Sequence, residues 1–189
     1  MAAVAPAAES VARSFGLKAL ALPVRSVGVK ADLRSYEHPV MLHGDLPHER
    51  VVEAAGEIFK KVAGVNRCVL NLTAEMPRAA RPLAATVTRA RLELLLEADH
   101  LAMEGLRRHG VYDAIWQCPT VLVPLELDGR GRELVVLRPV FSERAMTARP
   151  APLPPLLISE LRERILALPG VSGLALDVTT KPPGTIEWE

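Results

Sequence analysis

The chain ends in "TTKPPGTIEWE", Thr179 to Glu189, where Lys181 stands directly before Pro182 and Pro183, with Glu187 and Trp188 close behind. A proline disfavours helical backbone in the residue before it, and each proline fixes its own φ, so the stretch is predicted to be extended and stiff. A cation carried on such a strut loses little entropy when it meets an anion such as phosphate. Glu187 can accept hydrogen bonds from ribose hydroxyls or from a donor on a base. Trp188 can stack on a ligand or anchor the tail, and Thr180 is a supporting candidate. Termini are usually polar and disposable, so this composition favours a binding element over a frayed end.

Three other clusters carry chemistry at lower specificity. In "LPVRSVGVKADLRSYEH", Leu22 to His38, Asp32 and Arg34 follow Gly28 on a connecting loop, which suits a ligand-binding loop or merely a charged hairpin. In "YDAIWQCP", Gln117 lies between an aromatic and the start of a strand. An amide offers both donor and acceptor and can read the edge of a base, or it can simply cap a sheet. "RAMTARPAPLPP", Arg144 to Pro155, is a Pro-rich loop ordered by a partner or a stiff connector. His38, His43 and His48 recur at a spacing that fits neither a helix face nor a strand face, so no metal site is expected. The chain shows no Gly-rich phosphate loop, G-x-S-x-G elbow or H-E-x-x-H.

These residues need elements to hold them. The 189 residues allow one domain or two small lobes, and an apolar content of 49% is enough for a core. Lys+Arg of 23 against Asp+Glu of 22 leaves no basic excess, so neither nucleic acid nor an anionic membrane is an expected partner. Cys68 and Cys118, in apolar stretches, read as buried thiols of a reducing cytoplasm. No apolar run reaches the roughly 20 residues that span a bilayer, and the Ala-rich residues 1–16 read as a flexible extension.

The sequence repeats. Residues 62–73, "VAGVNRCVLNLT", align with residues 168–179, "LPGVSGLALDVT", matching Gly64 with Gly170, Val65 with Val171, Leu70 with Leu176 and Thr73 with Thr179. A helical apolar stripe precedes each: Val51, Ala55, Ile58, Phe59 and Val62 in the first half, Leu157, Leu161, Ile165 and Leu168 in the second. Upstream of each lie two β-rich runs, the second pair joined at "DGRGR". Residues 17–73 are thus a first β-β-α-β lobe and 74–88 a Pro/Ala linker. Residues 89–189 are a connecting helix, striped by Leu92, Leu95, Leu96, Ala102, Met103 and Leu106, followed by the second lobe and tail. The predicted class is α+β, two related lobes joined by a long helix.

"TTKPPGTIEWE", "LPVRSVGVKADLRSY", "GVYDAIWQ", "AMTA" and "GVNRCVLNLT" together resemble the C-terminal dimerisation domain of glutamine-hydrolysing GMP synthetase, over residues 17–189. The resemblance implies a domain that closes over XMP in an enzyme that adenylates XMP with ATP and Mg2+ and lets ammonia displace AMP to give GMP. It implies XMP contacts from Lys181, Glu187, Gln117 and Asp32, with Arg34, Thr180 and Trp188 in support. The doubling looks like the eukaryotic-type form, in which two lobes make an internal pseudo-dimer in place of a homodimer. The family's amidotransferase and ATP pyrophosphatase motifs do not occur in these residues, so the chain alone is expected neither to hydrolyse glutamine nor to adenylate XMP, and to bind no cofactor by itself. The implied partners are XMP and an ATP pyrophosphatase/amidotransferase polypeptide. The alternative is a non-enzymatic nucleotide-binding or interaction module descended from that domain.

Overall fold

The computed structural model describes residues 1–30 and 33–188. In chain order the elements are α1 (Val4–Ser14), β1 (Lys18–Ala21), β2 (Ser26–Lys30), β3 (Leu33–His43), α2 (His48–Lys61), β4 (Val65–Asn71), β5 (Ala80–Pro82) and α3 (Arg89–Arg108). After a 3-10 turn at Tyr112–Ala114 come β6 (Thr120–Val123), β7 (Leu125–Leu127), β8 (Glu133–Leu137), β9 (Val140–Phe141), β10 (Arg149–Pro150), α4 (Pro155–Leu166) and β11 (Val171–Asp177). The class is α+β, as the sequence predicts.

The two halves share one sheet. Its order is β1-β3-β4-β11-β8-β6, with β2 paired to β3. Within the first half β1 runs antiparallel to β3, and β3 parallel to β4 through the α2 crossover; within the second, β6 runs antiparallel to β8, and β8 parallel to β11 through α4. The halves join where β4 and β11 pair antiparallel, with Leu70 opposite Leu176. Those two leucines are equivalent in the repeat, so the register is the one a twofold axis through this pair would generate. Individual hydrogen bonds obey the same relation. Val178 N donates to Cys68 O at 3.0 Å and Leu72 N to Leu174 O at 2.9 Å; His38 N donates to Gly64 O at 2.9 Å and Glu133 N to Gly170 O at 2.8 Å. Gly64 and Gly170 both take positive φ, 86° and 106°, where a side chain is strained as each helix turns into its strand.

Side chains alternate across the sheet. Val40, Leu42, Cys68, Val135, Leu137, Leu174 and Leu176 face the helices, while Met41, Val69, Leu134, Val136 and Ala175 form a separate cluster with Leu22, Val123, Leu125 and Leu127. α2 buries Val51, Ala54, Ala55 and Ile58, and α4 buries Leu157, Leu161 and Ile165. Each fully buried Val, Leu or Ile side chain among these stabilises the fold by about 1.5–3 kcal/mol. Pro155 opens α4 at a position where a proline removes no needed hydrogen bond.

Several expectations are corrected. The N-terminal residues expected to form a flexible extension contain α1, which packs Val4, Ala8 and Ala12 into the first-half core; alanines four apart make a thin apolar stripe that a helix can bury. The helix expected merely to connect the lobes, α3, packs on α4 and β6 as α1 packs on α2 and β1. Each half is therefore α-β-β-α-β. In α3 the buried residues are Ala98, Leu101, Ala102, Gly105 and Leu106, whereas Leu92 and Leu96 are 54% and 69% exposed. Leucines ring the first turns of this helix, and only packing selects which side is covered. Within the expected linker, β5 pairs antiparallel with β7.

Candidate functional site

Charged residues placed inside apolar strands organise the face opposite the helices. Arg67 of β4, Asp177 of β11 and Arg138 just beyond β8 are fully buried. Asp177 Oδ2 accepts from Arg67 Nη1 and Oδ1 from Arg138 Nη1, each at 2.7 Å. Thr179 N donates to Asp177 Oδ1 at 2.9 Å, and the Trp188 indole Nε1 donates to Oδ2 at 2.7 Å. Burial pushes the Asp177 carboxyl up, but the Arg138 and Arg67 guanidiniums outweigh it and hold the group below its ordinary range. One carboxylate faces two guanidiniums, and burial together with the Arg67 charge lowers Arg138 despite Asp177. Arg67 Nη2 also binds the carbonyls of Val27 at 3.0 Å and of Thr185 and Glu187 at 3.2 Å, and its guanidinium lies 4.8 Å from the Trp188 ring centroid.

This cluster sets the course of the tail. Thr179 Oγ1 accepts from Cys68 N at 2.9 Å and donates to Cys68 O at 3.1 Å, fixing the exit from β11. Lys181 then pairs with Ala148 through both backbone bonds, Lys181 N to Ala148 O at 2.8 Å and Ala148 N to Lys181 O at 3.2 Å. The chain turns at Pro182–Pro183, with cis bonds before both prolines, and Gly184 N donates to Thr180 O. The expected extended strut is thus a turn, set by pairing on both of its sides. Beyond it Gly184 bridges to Gly28 of β2, Pro183 O accepts from Val29 N at 2.7 Å, and Thr185 Oγ1 donates to Val27 O at 3.0 Å. The tail therefore lies against the hairpin of the first half on one side and the β9–β10 loop of the second on the other. Gly28 is needed at the crossing: a Cβ there would lie 2.6 Å from Pro183 O and 2.8 Å from the Asn66 side chain. Asn66 itself is held by Ser26, whose Oγ donates to Asn66 Oδ1 at 2.7 Å.

The sequence-predicted residues fall around this path. Lys181 is half-buried, and its Nζ donates to Ala145 O at 2.7 Å, an atom of the 142–147 loop where Ala145 has φ 58°. Gln117 is exposed, and its carbonyl accepts from Val140 N at 2.8 Å, so Gln117 and Lys181 flank the same β9–β10 loop. Glu187 is exposed at the side chain while its carbonyl is tied to Arg67. Thr180 Oγ1 donates to Pro182 O inside the turn. Trp188 is an anchor, plugged over Arg67 and bonded to Asp177. Arg34, expected on a connecting loop, lies in β3 opposite Val29, exposed near the free end of the β2–β3 hairpin. Asp32 falls between β2 and β3 in sequence and lies outside the described residues. Beside the β9–β10 loop opens a broad hollow of about 1190 Å3, walled by Trp116, Phe141, Glu143, Arg144, Met146 and Arg149 among others, with Arg149 stacked 4.8 Å from the Phe141 centroid.

The residues that hold the tail, Arg67, Arg138, Asp177 and Asn66, are absent from the sequence-based selection. Their signal is present: an Arg in "NRCVLNL", an Arg in "VVLRPV" and an Asp in "LALDVTT" interrupt β-rich apolar runs, and a buried charge requires a partner. Among the described residues no cluster of three or more His, Cys, Asp or Glu is arranged to hold a metal, and no helix is long and apolar enough to cross a membrane.

Comparison with known proteins gives a consistent direction. The chain is 35% identical over 178 residues to a probable GMP synthase [glutamine-hydrolyzing] of Leptospira interrogans, covering 92% of this chain and 29% of that protein. It is 39% identical over 175 residues to the GMP synthase of Thermobifida fusca (84% and 33%), and 45% identical over 115 residues to that of Leifsonia xyli (57% and 23%). The chain spans about a third or less of the length of these relatives. Residues 104–188, which comprise the last turn of α3, every later element and the tail, match the family model described as GMP synthase C terminal domain.

Proposed function

We propose that this chain serves as the C-terminal domain of a glutamine-hydrolysing GMP synthase, lending XMP contacts and assembly to the ATP-dependent amination of XMP to GMP. The carrying observation is the tail itself. It is fastened by Asp177 and Arg67, and threaded between the first-half hairpin and the second-half loop, so residues of both halves lie against one segment. In this reading Lys181 exchanges its bond to Ala145 O for an XMP phosphate oxygen, a charge-assisted bond. Glu187 accepts from ribose or base donors, Gln117 borders the base, and Asp32 adds a further XMP contact with Arg34 in support. The halves act as an internal pseudo-dimer, as in the eukaryotic-type form. ATP and Mg2+ belong to the complete enzyme and would be held by an ATP pyrophosphatase/amidotransferase polypeptide.

Mixing the chain with a GMP synthase truncated before its C-terminal domain tests this. GMP formation should be restored by the wild-type chain and reduced at least tenfold by Lys181→Ala, with Lys181→Arg recovering part of the rate. A second reading, a non-enzymatic interaction module, draws on the fact that the Lys181 ammonium already has a carbonyl partner within the chain. That reading prevails if no activity is restored and Lys181→Ala merely loosens the 142–147 loop.

A further inference from the structure

The repeat predicts a counterpart to the crossing of the tail, and the structure contains a cavity at that place. The chain leaving β11 crosses to the hairpin of the first half; the chain leaving β4 crosses in the same way to pair through β5 with β7, beside the hairpin of the second half. The local geometry at the two exits is alike. Thr73 N donates to Asn71 Oδ1 at 3.0 Å, as Thr179 N does to Asp177 Oδ1 at 2.9 Å. Around the β4 exit lies a cavity of about 380 Å3 bordered by Thr73, Glu75 and Pro77 of the first half and by Asp128, Arg130, Arg132 and Ser172 of the second. Leu127, Leu166 and Val171 add apolar surface.

Several of its polar groups are unspent, although the Thr73 hydroxyl already has Asn71 Oδ1 at 2.7 Å and Glu75 O at 2.9 Å as partners. The Ser172 hydroxyl is buried without a hydrogen-bond partner, where such groups normally have one. Arg130 and Arg132 have no ion-pair partner among the described residues, nor does the Glu75 carboxylate. Asp128, by contrast, is occupied: its Oδ1 accepts from Arg78 N at 2.8 Å and Ala79 N at 3.1 Å. With Glu126 Oε2 accepting from Gly131 N at 2.7 Å, this fixes the turn that carries the two arginines. Asp128, Gly129 and Gly131 hold left-handed φ of 56°, 70° and 64° there, so the cations are presented from a preset loop.

We infer that this cavity is a second small-molecule site, composite like the first, that takes a nucleoside monophosphate. Arg130 and Arg132 meet the phosphate, which guanidinium geometry suits. Ser172 offers a hydroxyl, and Glu75 accepts from ribose or base donors. The volume falls within the span of small-molecule sites. The preference for an anion rests on the cavity; the nucleotide class rests also on the reading of the tail given above.

Titrating GMP into the isotopically labelled full chain, with amide shifts as the readout, separates the two sites. Residues 73–75, 128–132 and 172 should shift. That response should weaken at least tenfold in an Arg130→Ala/Arg132→Ala variant whose remaining spectrum is unchanged, weaken in Ser172→Ala, and persist in Lys181→Ala. Shifts confined to residues 180–188, no shifts at all, or a response that survives the double substitution overturns the inference. Inorganic phosphate producing equal shifts at equal concentration overturns the nucleotide class. A wild-type chain in which the cavity residues respond and residues 180–188 do not counts against the tail reading and not against this one.

Discussion

At the scale of single residues, Asp177 is the group on which the tail depends. It neutralises part of two buried guanidiniums, and removing one partner of a buried pair leaves an uncompensated charge. Asp177→Asn should therefore destabilise the protein by about 3–5 kcal/mol in chemical denaturation. The pH dependence has a definite sign. The folded carboxyl ionises below its unfolded value, so its contribution is fully present above the ordinary carboxylate range and disappears as pH falls through the lowered folded value. With Trp116→Phe leaving Trp188 as the sole indole, fluorescence should report acid release of the tail below that range, and no such transition near neutrality. The thiols are inert by the same physics. Burial raises Cys68 and pushes Cys118 up to about 12, with Asp99 adding to the latter; Cys118, expected to be buried, is only half-buried, so thiol reagents at pH 8 should label it slowly through its scarce thiolate and label Cys68 only on the timescale of opening.

At the scale of elements, the crossing of tail and hairpin is tightest at Gly28. Gly28→Ala forces a Cβ against the Pro183 carbonyl and Asn66, neither of which is the free end of a flexible side chain. Amide shifts from residues 180–188 should move or broaden while those of α2 and α4 stay in place; an unperturbed tail would contradict the packing. The helices behave more predictably. α2 and α4 carry their apolar residues on one stripe, and that stripe is what they bury, so Leu161→Ala in α4 should cost about 2–5 kcal/mol. α3 was legible as a helix but not in its orientation, because Leu92, Leu94, Leu95 and Leu96 leave every side of its first turns apolar. α1 escaped notice because alanines give little contrast between faces.

At the scale of the whole molecule, the halves are held together by the backbone pairing of β4 with β11 and by apolar residues common to both sides, Leu70 and Leu72 among them. Residues 1–88 expressed alone would expose β4 as a long apolar edge, a template for aggregation. Neither half alone should give a dispersed amide spectrum, whereas co-expression of 1–88 with 89–189 should recover one. A well-dispersed spectrum from either half alone would show that the shared sheet is not what completes the core.

The sequence alone determined the doubling, the helix-strand order around each repeat, the α+β class and the choice of the terminal motif as the residues to watch. These are encoded in local periodicity and in the matching of short segments, which neighbouring residues settle among themselves. Only the tertiary structure decided that the two repeats pair with each other at Leu70 and Leu176, that Arg67, Arg138 and Asp177 meet beneath the tail, and that the prolines turn instead of extending. Each of those outcomes joins residues a hundred or so positions apart or lying on different elements, where the balance of burial and charge across the assembled sheet, and not any local pattern, selects the partner.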